Sequence, residues 1–407
     1  MAVAKDGGTL VIVSGARTPM AEYSGTKGYG RLKDVSAIDL AVIAAKAAME
    51  RGKVDPKKID HAVFGNATQS STDALYGARH VALKAGCPET TPALTVNRIC
   101  GSGLQSVVTG AEQILLGRAK TTLCGGMENM SQVPFVVQGM REGFRLGQDM
   151  KGIDLLFAAL MDPYCGFFMA QTAENVAKDY QIPRQAQDEY ALRSHQLGAA
   201  AVKAGKFAEE IVPVPIKRGD KVVDTVTTDD HIKPETTLEG LAALRPAFGK
   251  DGTVTAGNAS GIVDGAAAVV VSTRATAEAE GWPILAEIVD WDIHGVPPRI
   301  MGIGPVPAIQ GVAKRAGIRV EDIDLVEINE AFAAQYLGCE KLLNLDRNKV
   351  NVNGGAIALG HPLGATGTRL ILSLARELNA RGAKLGVASA CIGGGQGIAV
   401  LLRNPKG

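Results

Sequence analysis

Aromatic side chains are scarce. Phe, Trp and Tyr together make up 4% of the 407 residues, too few to build stacking platforms for single-stranded nucleic acid. An excess of one charge is missing too: 43 Lys and Arg face 42 Asp and Glu, for a net charge of +1. No global field therefore draws the chain to a nucleic-acid backbone or an anionic membrane, and any anionic ligand has to be met by a local patch. The six cysteines (Cys87, Cys100, Cys124, Cys165, Cys339 and Cys391) form no Cys-x-x-Cys pair. In so long a chain they are too few for a disulfide scaffold, so neither structural zinc nor any other metal site is expected, and a reducing compartment is.

Met1 to Gly15 lacks the charged, apolar and cleavage segments of a secretory signal and reads instead as a first strand, Thr9 to Val13. The last residues, Asn404-Pro405-Lys406-Gly407, are no peroxisomal address. A soluble, cytoplasmic protein is expected. The longest uncharged run, Leu385 to Leu402, approaches the length of a membrane span, yet its five glycines and one glutamine suit a strand, a glycine turn and a second strand better. Phosphate and dinucleotide motifs are absent as well: no Gly-x-x-x-x-Gly-Lys-Ser/Thr occurs, and no glycine turn is followed by the distant acidic residue of a dinucleotide site.

What the chain has in excess is glycine, 49 residues, against about 7% in average proteins. These cluster, which signals tight turns or close approach of backbone to a ligand. Helical patterns alternate with short β-branched runs, arguing for α/β layers. Val35 to Arg51 and Ser102 to Gly117 carry apolar residues at helical spacing; Ala62 to Phe64, Thr121 to Cys124 and Ala266 to Ser272 read as strands.

The C-terminal third repeats this order. Val320 to Val326 echoes Val54 to His61, and each leads into a strand ending in an asparagine, Asn329 or Asn66. The glycine turns after Asn97 and after Asn353 each precede an amphipathic helix, then a strand running into Gly125-Gly126 or Gly393-Gly394-Gly395. A shift of about 260 residues means two similar halves facing one shared cleft rather than a solenoid. Between them, residues 131–261 break the pattern with several prolines, irregular charge and a helical run from Thr172 to Ala204. The expected organisation is 1–130 with 262–284, an inserted loop domain at 131–261, and 285–407.

Three side chains on those turns carry chemistry. Cys100 precedes the helix near Ser102, where the helix dipole lowers a thiol pKa; a small buried turn residue is the alternative. His361 lies on the corresponding turn of the second half as a candidate base or oxyanion donor, against a satisfied structural histidine. Cys391 ends the strand Leu385 to Ala390 before the glycine run, where its alternative is again a small buried residue. Asn329 could orient a water or a carbonyl, or cap a helix with Glu330.

Asn97-Arg98-Ile99-Cys100-Gly101-Ser102-Gly103-Leu104-Gln105-Ser106, Asn329 to Ala333, Gly354 to Gly367 and Cys391 to Gly397, with Asn258-Ala259-Ser260-Gly261, resemble the sequence blocks of the thiolases nearly end to end. That resemblance implies the thiolase fold: two βαβαβαββ halves in a five-layered αβαβα arrangement with an inserted loop domain, assembled as a homodimer or homotetramer. It implies reversible acyl transfer between coenzyme A thioesters, with coenzyme A as substrate and no permanently bound cofactor. Cys100 would carry the acyl group and His361 would take its proton. His361 and a water held by Asn329 would form one oxyanion hole, and the N–H groups of Cys100 and Gly393 a second. Cys391 would serve as acid and base at the α-carbon. Coenzyme A would meet Ser260, Ala259, Met169, Phe248, Met301 and Phe332, with Lys233 near its nucleotide end; Lys217, Arg218 and Lys221 form a further basic cluster. Phe168 departs from the family, where histidine or proline stands, and a phenyl ring there can line an acyl pocket but cannot donate a hydrogen bond. A 3-ketoacyl synthase of the same fold would use two histidines, which Cys391 opposes; a non-catalytic lipid-binding relative would not need all four active groups.

Overall fold

The computed structural model describes residues 8–23 and 30–407, so residues 1–7 of the expected signal-free N-terminus lie outside the described residues. The first half comprises β1 (Leu10–Arg17), α1 (Ala37–Gly52), β2 (His61–Gly65), α2 (Gly77–Ala85), β3 (Ala93–Val96), α3 (Ser102–Leu115) and β4 (Thr121–Glu128). Two helices of the inserted segment follow, α4 (Met169–Asp179) and α5 (Arg184–Lys203). The half closes with β5 (Val263–Thr273). The second half holds β6 (Ala286–Gly295), α6 (Pro305–Ala316), β7 (Leu325–Ile328), α7 (Ala333–Leu343), α8 (Leu363–Arg381), β8 (Leu385–Ile392) and β9 (Gln396–Arg403).

The strands run in the order β3-β2-β4-β5-β1 in one half and β7-β8-β9-β6 in the other. A parallel bridge from Val350 to Val326 stands where β3 stands beside β2. In both halves the strands at the outer end pair in parallel and those toward the junction of the halves antiparallel. The two sheets meet where β1 pairs with β6 at Val11↔Glu287 and Ile12↔Ala286. One detail repeats at hydrogen-bond level. Asp60 accepts from the N–H groups of Lys120 (2.7 Å) and Thr121 (3.0 Å), and Asp324 accepts from those of Lys384 (2.8 Å) and Leu385 (3.0 Å).

Alternation along β5 shows how the layers form. Ala266, Ala268 and Val270 join a core under α1 and α2, while Val269 and Val271 point into the central core. Side chains alternate faces along a strand, so one strand serves two layers. The central core packs α3 (Leu104, Val107, Ala111) against α8 (Leu370, Ile371, Leu374) between the two sheets. A third core sets α6 and α7 on the outer face of the second sheet, with Ala173, Val176 and Tyr190 of the inserted segment added. The result is the five-layered αβαβα arrangement. Leu385 to Leu402 forms the antiparallel pair β8 and β9, and among the described residues no helix is long and apolar enough to cross a membrane.

Thr172 to Ala204 is two helices rather than one run. The chain turns at Gln181, which takes φ 55°, and Pro183 then leads into α5; proline's fixed φ and missing N–H suit a helix start and not its interior. The strand expected at Thr121 to Cys124 continues to Glu128, because its glycines let α8 lie against it. A Cβ on Gly126 would sit 1.8 Å from the Gly364 carbonyl oxygen.

Two further glycines let the central helices touch. A Cβ on Gly103 would meet the Thr368 nitrogen at 2.5 Å, and one on Gly367 the Leu104 nitrogen at 2.2 Å. Thr368 Oγ1 donates to the Gly103 carbonyl across this contact at 3.0 Å. Because both obstacles are backbone, no side-chain rotation can relieve an added methyl. Gly367→Ala is expected to cost roughly 1–3 kcal/mol. Gly295→Ala, whose Cβ would find its nearest neighbour only 4.0 Å away, should stay within about 0.5 kcal/mol of the parent. Denaturant unfolding of the two variants checks the contrast, and equal stability would refute the close-packing account.

Candidate active site

Cys100 sits on a short turn, Ile99–Gly101, immediately before α3. Ile99 takes φ 47°, a left-handed conformation that costs a β-branched residue about 1–3 kcal/mol. Three hydrogen bonds hold it. Asn97 Oδ1 accepts from the Ile99 N–H (2.9 Å), Ser102 Oγ accepts from the Arg98 N–H (2.9 Å), and Ser102 Oγ donates to the Ile99 carbonyl (2.7 Å). The turn aims the thiol into a buried cluster with Met130, Leu156 and Leu363. Here the expectation of a lowered thiol pKa fails. Burial pushes the Cys100 thiol up to about 12, while hydrogen bonds from the Gly393 and Cys100 N–H groups only partly offset it and the Glu128 charge adds to the rise. Loss of hydration outweighs the start of one helix.

His361 is buried on the glycine turn before α8. Its Nδ1 donates to Thr366 Oγ1 at 2.6 Å, and that hydroxyl passes its own proton to the Pro362 carbonyl at 3.0 Å. Nε2 thereby carries the lone pair, which accepts from Asn329 Nδ2 at 3.3 Å. Burial, with the Arg369 charge second, holds the imidazole down to about 3, so it is neutral at ordinary pH. Asn329 is fully buried just past the end of β7; its N–H donates to the Ser389 carbonyl at 2.9 Å, and its Oδ1 has no protein partner. Asn329 is no helix cap: α7 starts after Phe332. Glu330 beside it accepts from Tyr190 Oη, Ser194 Oγ, Asn351 Nδ2 and the Ile357 N–H.

Cys391 closes the arrangement from the end of β8, wholly buried against Met301 and Ala331, with Met169 and Phe332 at its edge. Burial raises its thiol well above the usual range, and the sulfurs of Cys100 and then Cys339 add to the rise. The three chemical side chains thus come from turns and strand ends of both halves. Gly394 and Gly395, at φ 82° and 83°, let the chain double back after Gly393.

An apolar cavity of about 240 Å³ reaches His361 and is otherwise lined by Met169, Phe248, Ala259, Ser260, Phe332, the Phe157–Leu160–Phe168 wall, and Met130 and Leu363 of the Cys100 cluster. Its floor is zipped together: the Ser260 N–H donates to the Ala331 carbonyl (3.0 Å), Ala259 bridges Phe332, and the His361 N–H donates to the Gly261 carbonyl (2.9 Å). Met301 lies beneath Cys391 and does not line the cavity. Lys233 lies outside the lining as well, its Nζ 3.5 Å from Glu22 Oε2. Lys217, Arg218 and Lys221 belong to an exposed hairpin, Val214–Arg218 with Lys221–Val226, whose Val214 and Val226 pack on the first half's core. Among the described residues no cluster of His, Cys, Asp and Glu could hold a metal ion.

Sequence reasoning missed Thr366, Phe157 and Leu160. Thr366 was findable as a hydroxyl one turn into the helix that follows His361. Phe157 and Leu160 sit in an irregular stretch with no periodic signal. Phe168 is packed between Phe157 (ring centroids 4.6 Å apart) and Phe248 (5.3 Å).

Comparison with known proteins agrees with this architecture. The thiolase N-terminal domain family matches residues 10–275 and the thiolase C-terminal domain family residues 282–404. The human mitochondrial 3-ketoacyl-CoA thiolase is 51% identical over 97% of this chain and 98% of its own. The acetyl-CoA acetyltransferase of Escherichia coli is 48% identical over 96% and 98%. The solved structure of the human mitochondrial 3-ketoacyl-CoA thiolase in complex with CoA superposes with a TM-score of 0.93 at 50% identity, covering 98% of each chain. The mitochondrial relative overturns the expected cytoplasmic setting. That expectation rested on unpaired cysteines and on the lack of a secretory signal or a peroxisomal address, none of which tells one reducing compartment from another. These similarities run nearly end to end, and the chain belongs to the thiolase family, acyltransferases that work on coenzyme A thioesters.

Proposed function

We propose that this chain cleaves 3-ketoacyl-CoA with coenzyme A, and that Cys100 carries the acyl group between substrates. The observation that carries the reading is the convergence of Cys100, Cys391 and the Gly393 N–H beside an apolar cavity that His361 lines. A thiol with so high a pKa is inert until a base removes its proton as it attacks, and His361 Nε2 is a neutral acceptor held in the required tautomer by Thr366. Cys100 Sγ attacks the C3 carbonyl while His361 takes the thiol proton. The C2–C3 bond then breaks, and Cys391 delivers its proton to the departing acetyl-CoA carbon. Coenzyme A next attacks the acyl-Cys100 thioester as its thiol proton passes to the Cys391 thiolate; the acyl–Cys100 bond breaks, His361 returns its proton to the Cys100 sulfur, and a shortened acyl-CoA leaves. In reverse, Cys391 removes an α-proton and two thioesters condense.

Developing oxyanions need donors aimed at them, each worth on the order of 3 kcal/mol. The N–H groups of Gly393 and Cys100 already converge on the Cys100 sulfur, which supports their reading as one oxyanion hole. The unpartnered Asn329 Oδ1 supports a held water beside His361 as the other, since buried polar atoms are normally satisfied. Contacts of the pantetheine arm with Met169, Phe248, Ala259, Ser260 and Phe332 are supported by their place on the cavity wall. Residues 131–261 then form the loop domain that supplies much of that wall. Cleavage of chains longer than four carbons is favoured because the wall around Phe168 is aromatic and aliphatic. Association as a homodimer is supported by the sheet edge at β3, where Leu94 is exposed close in sequence to exposed Leu75 and Tyr76.

Three outcomes test the reading. Alkylation of Cys100 by iodoacetamide should run at a pH-independent rate from pH 6 to 9, because the base stays neutral throughout. In His361→Ala it should fall and then climb about tenfold per pH unit, as an unassisted high-pKa thiol must. Cys391→Ala should still accept an acetyl group from acetyl-CoA, yet lose α-proton exchange by about a thousandfold; exchange at the parent rate would remove Cys391 from the proton step. Phe168→Ala should shift the kcat/KM ratio of twelve-carbon to four-carbon 3-ketoacyl-CoA by about tenfold, and an unchanged ratio would leave that ring without a role in chain length.

A further inference from the structure

Glu128, the last residue of β4, is wholly buried and takes no part in the chemistry above. Its Oε1 accepts from Asn66 Nδ2 (2.9 Å), the Thr68 N–H (2.9 Å) and Thr68 Oγ1 (2.5 Å). Its Oε2 accepts from the Ala67 N–H (3.0 Å) and from the Gly364 N–H of the second half (2.8 Å). Every partner except the Thr68 hydroxyl is an N–H group that can only donate. A carboxyl proton would have almost nowhere to go, which keeps the group ionised although burial raises its pKa.

The positions of these partners matter. Ala67 and Leu363 both pack in the cluster around Cys100, and Met130, two residues beyond Glu128, lies in the same cluster. Gly364 is in the first turn of α8, three residues after His361. One carboxylate therefore ties the loop under the nucleophile in one half to the helix start behind the base in the other. We infer that Glu128 is a positioning residue, whose two oxygens clamp the Cys100 turn and the His361 turn in the register that proton transfer between them requires. It acts by geometry: a glutamine of the same size would turn an NH₂ toward N–H donors, so one strand of the clamp must open. Small misplacements of reacting groups cost large factors in rate, up to about a hundredfold per ångström.

The inference rests on His361 being the base for Cys100, and the test separates the two. The charges nearest the pair are Glu128 beside Cys100 and Arg369 beside His361. Glu128→Gln and the milder Thr68→Val, which removes only the 2.5 Å contact, would be compared with the parent and with His361→Ala. The measurements are the pH profile of Cys100 alkylation, the rate of acetyl transfer from acetyl-CoA to Cys100, and KM for coenzyme A. A broken clamp should give Glu128→Gln an alkylation rate that rises with pH, as in His361→Ala, and an acetyl-transfer rate lowered tenfold to a hundredfold. KM for coenzyme A should stay within about twofold of the parent, and Thr68→Val should fall between. A flat profile in the parent and in both variants would overturn the clamp while leaving His361 in place, and so would equal losses in rate and KM. If the parent profile itself rises with pH, the base assignment falls and the clamp falls with it. Should Glu128→Gln not fold, Thr68→Val alone decides: an unaltered profile and rate overturn the proposal.

Discussion

The backbone contact between α3 and α8 is the constraint on which the rest depends. With Gly103 and Gly367 at the crossing, nothing but main chain separates the two helices, and both point their N-terminal turns at the same place. Cys100 precedes one helix and His361 the other. A larger residue at either glycine would push the helices apart by the width of a methyl group or more, a distance comparable to a hydrogen bond's tolerance. The repeated halves thus meet through their least substituted positions, and Cys100 and His361 lie where these helices begin.

Placing reactive groups so deep has an electrostatic cost that the site turns to use. Burial disfavours every charged form, raising the thiols and lowering the imidazole. Cys100, His361 and Cys391 are consequently uncharged at rest. In the proposed mechanism charge appears only as a proton moves, and at Cys100 two N–H groups already converge. A thiolate stabilised in the resting state would be a weaker nucleophile and would gain less from those donors, since stabilisation shared by ground and transition states does not speed the chemical step.

Much of this was legible in the sequence because periodicity and glycine report on backbone. The two halves, their asparagine-ended strands, the glycine turns and the strand–turn–strand at Leu385 to Leu402 follow from local patterns, and Asp60 and Asp324 confirm the repeat in matching hydrogen bonds. Cys100, His361, Cys391 and Asn329 stood out because each occupies such a turn. What stayed hidden depends on tertiary distance. Glu128 reads as an ordinary strand end until Gly364, far along the chain, is folded onto it. The high pKa of Cys100 comes from side chains of several elements, whereas the dipole argument considered one helix only. Phe157 and Leu160 carry no spacing signal, so the cavity wall they form could not be anticipated.

The duplicated asparagines show how equal halves acquired unequal work. Asn66 and Asn329 follow the ends of equivalent strands, and both are almost completely buried. Asn66 spends its amide on the Met127 carbonyl at 3.1 Å and on Glu128, so its polar group is consumed in holding structure. Asn329 instead gives its amide to His361 and leaves Oδ1 unpaired. A buried oxygen without a partner costs about 1–3 kcal/mol. Under the proposed function that cost is offset by a held water that donates to the oxygen. In the first half the same position is closed by Glu128; in the second the amide turns to His361, which lines the cavity, and the oxygen is left without a protein partner.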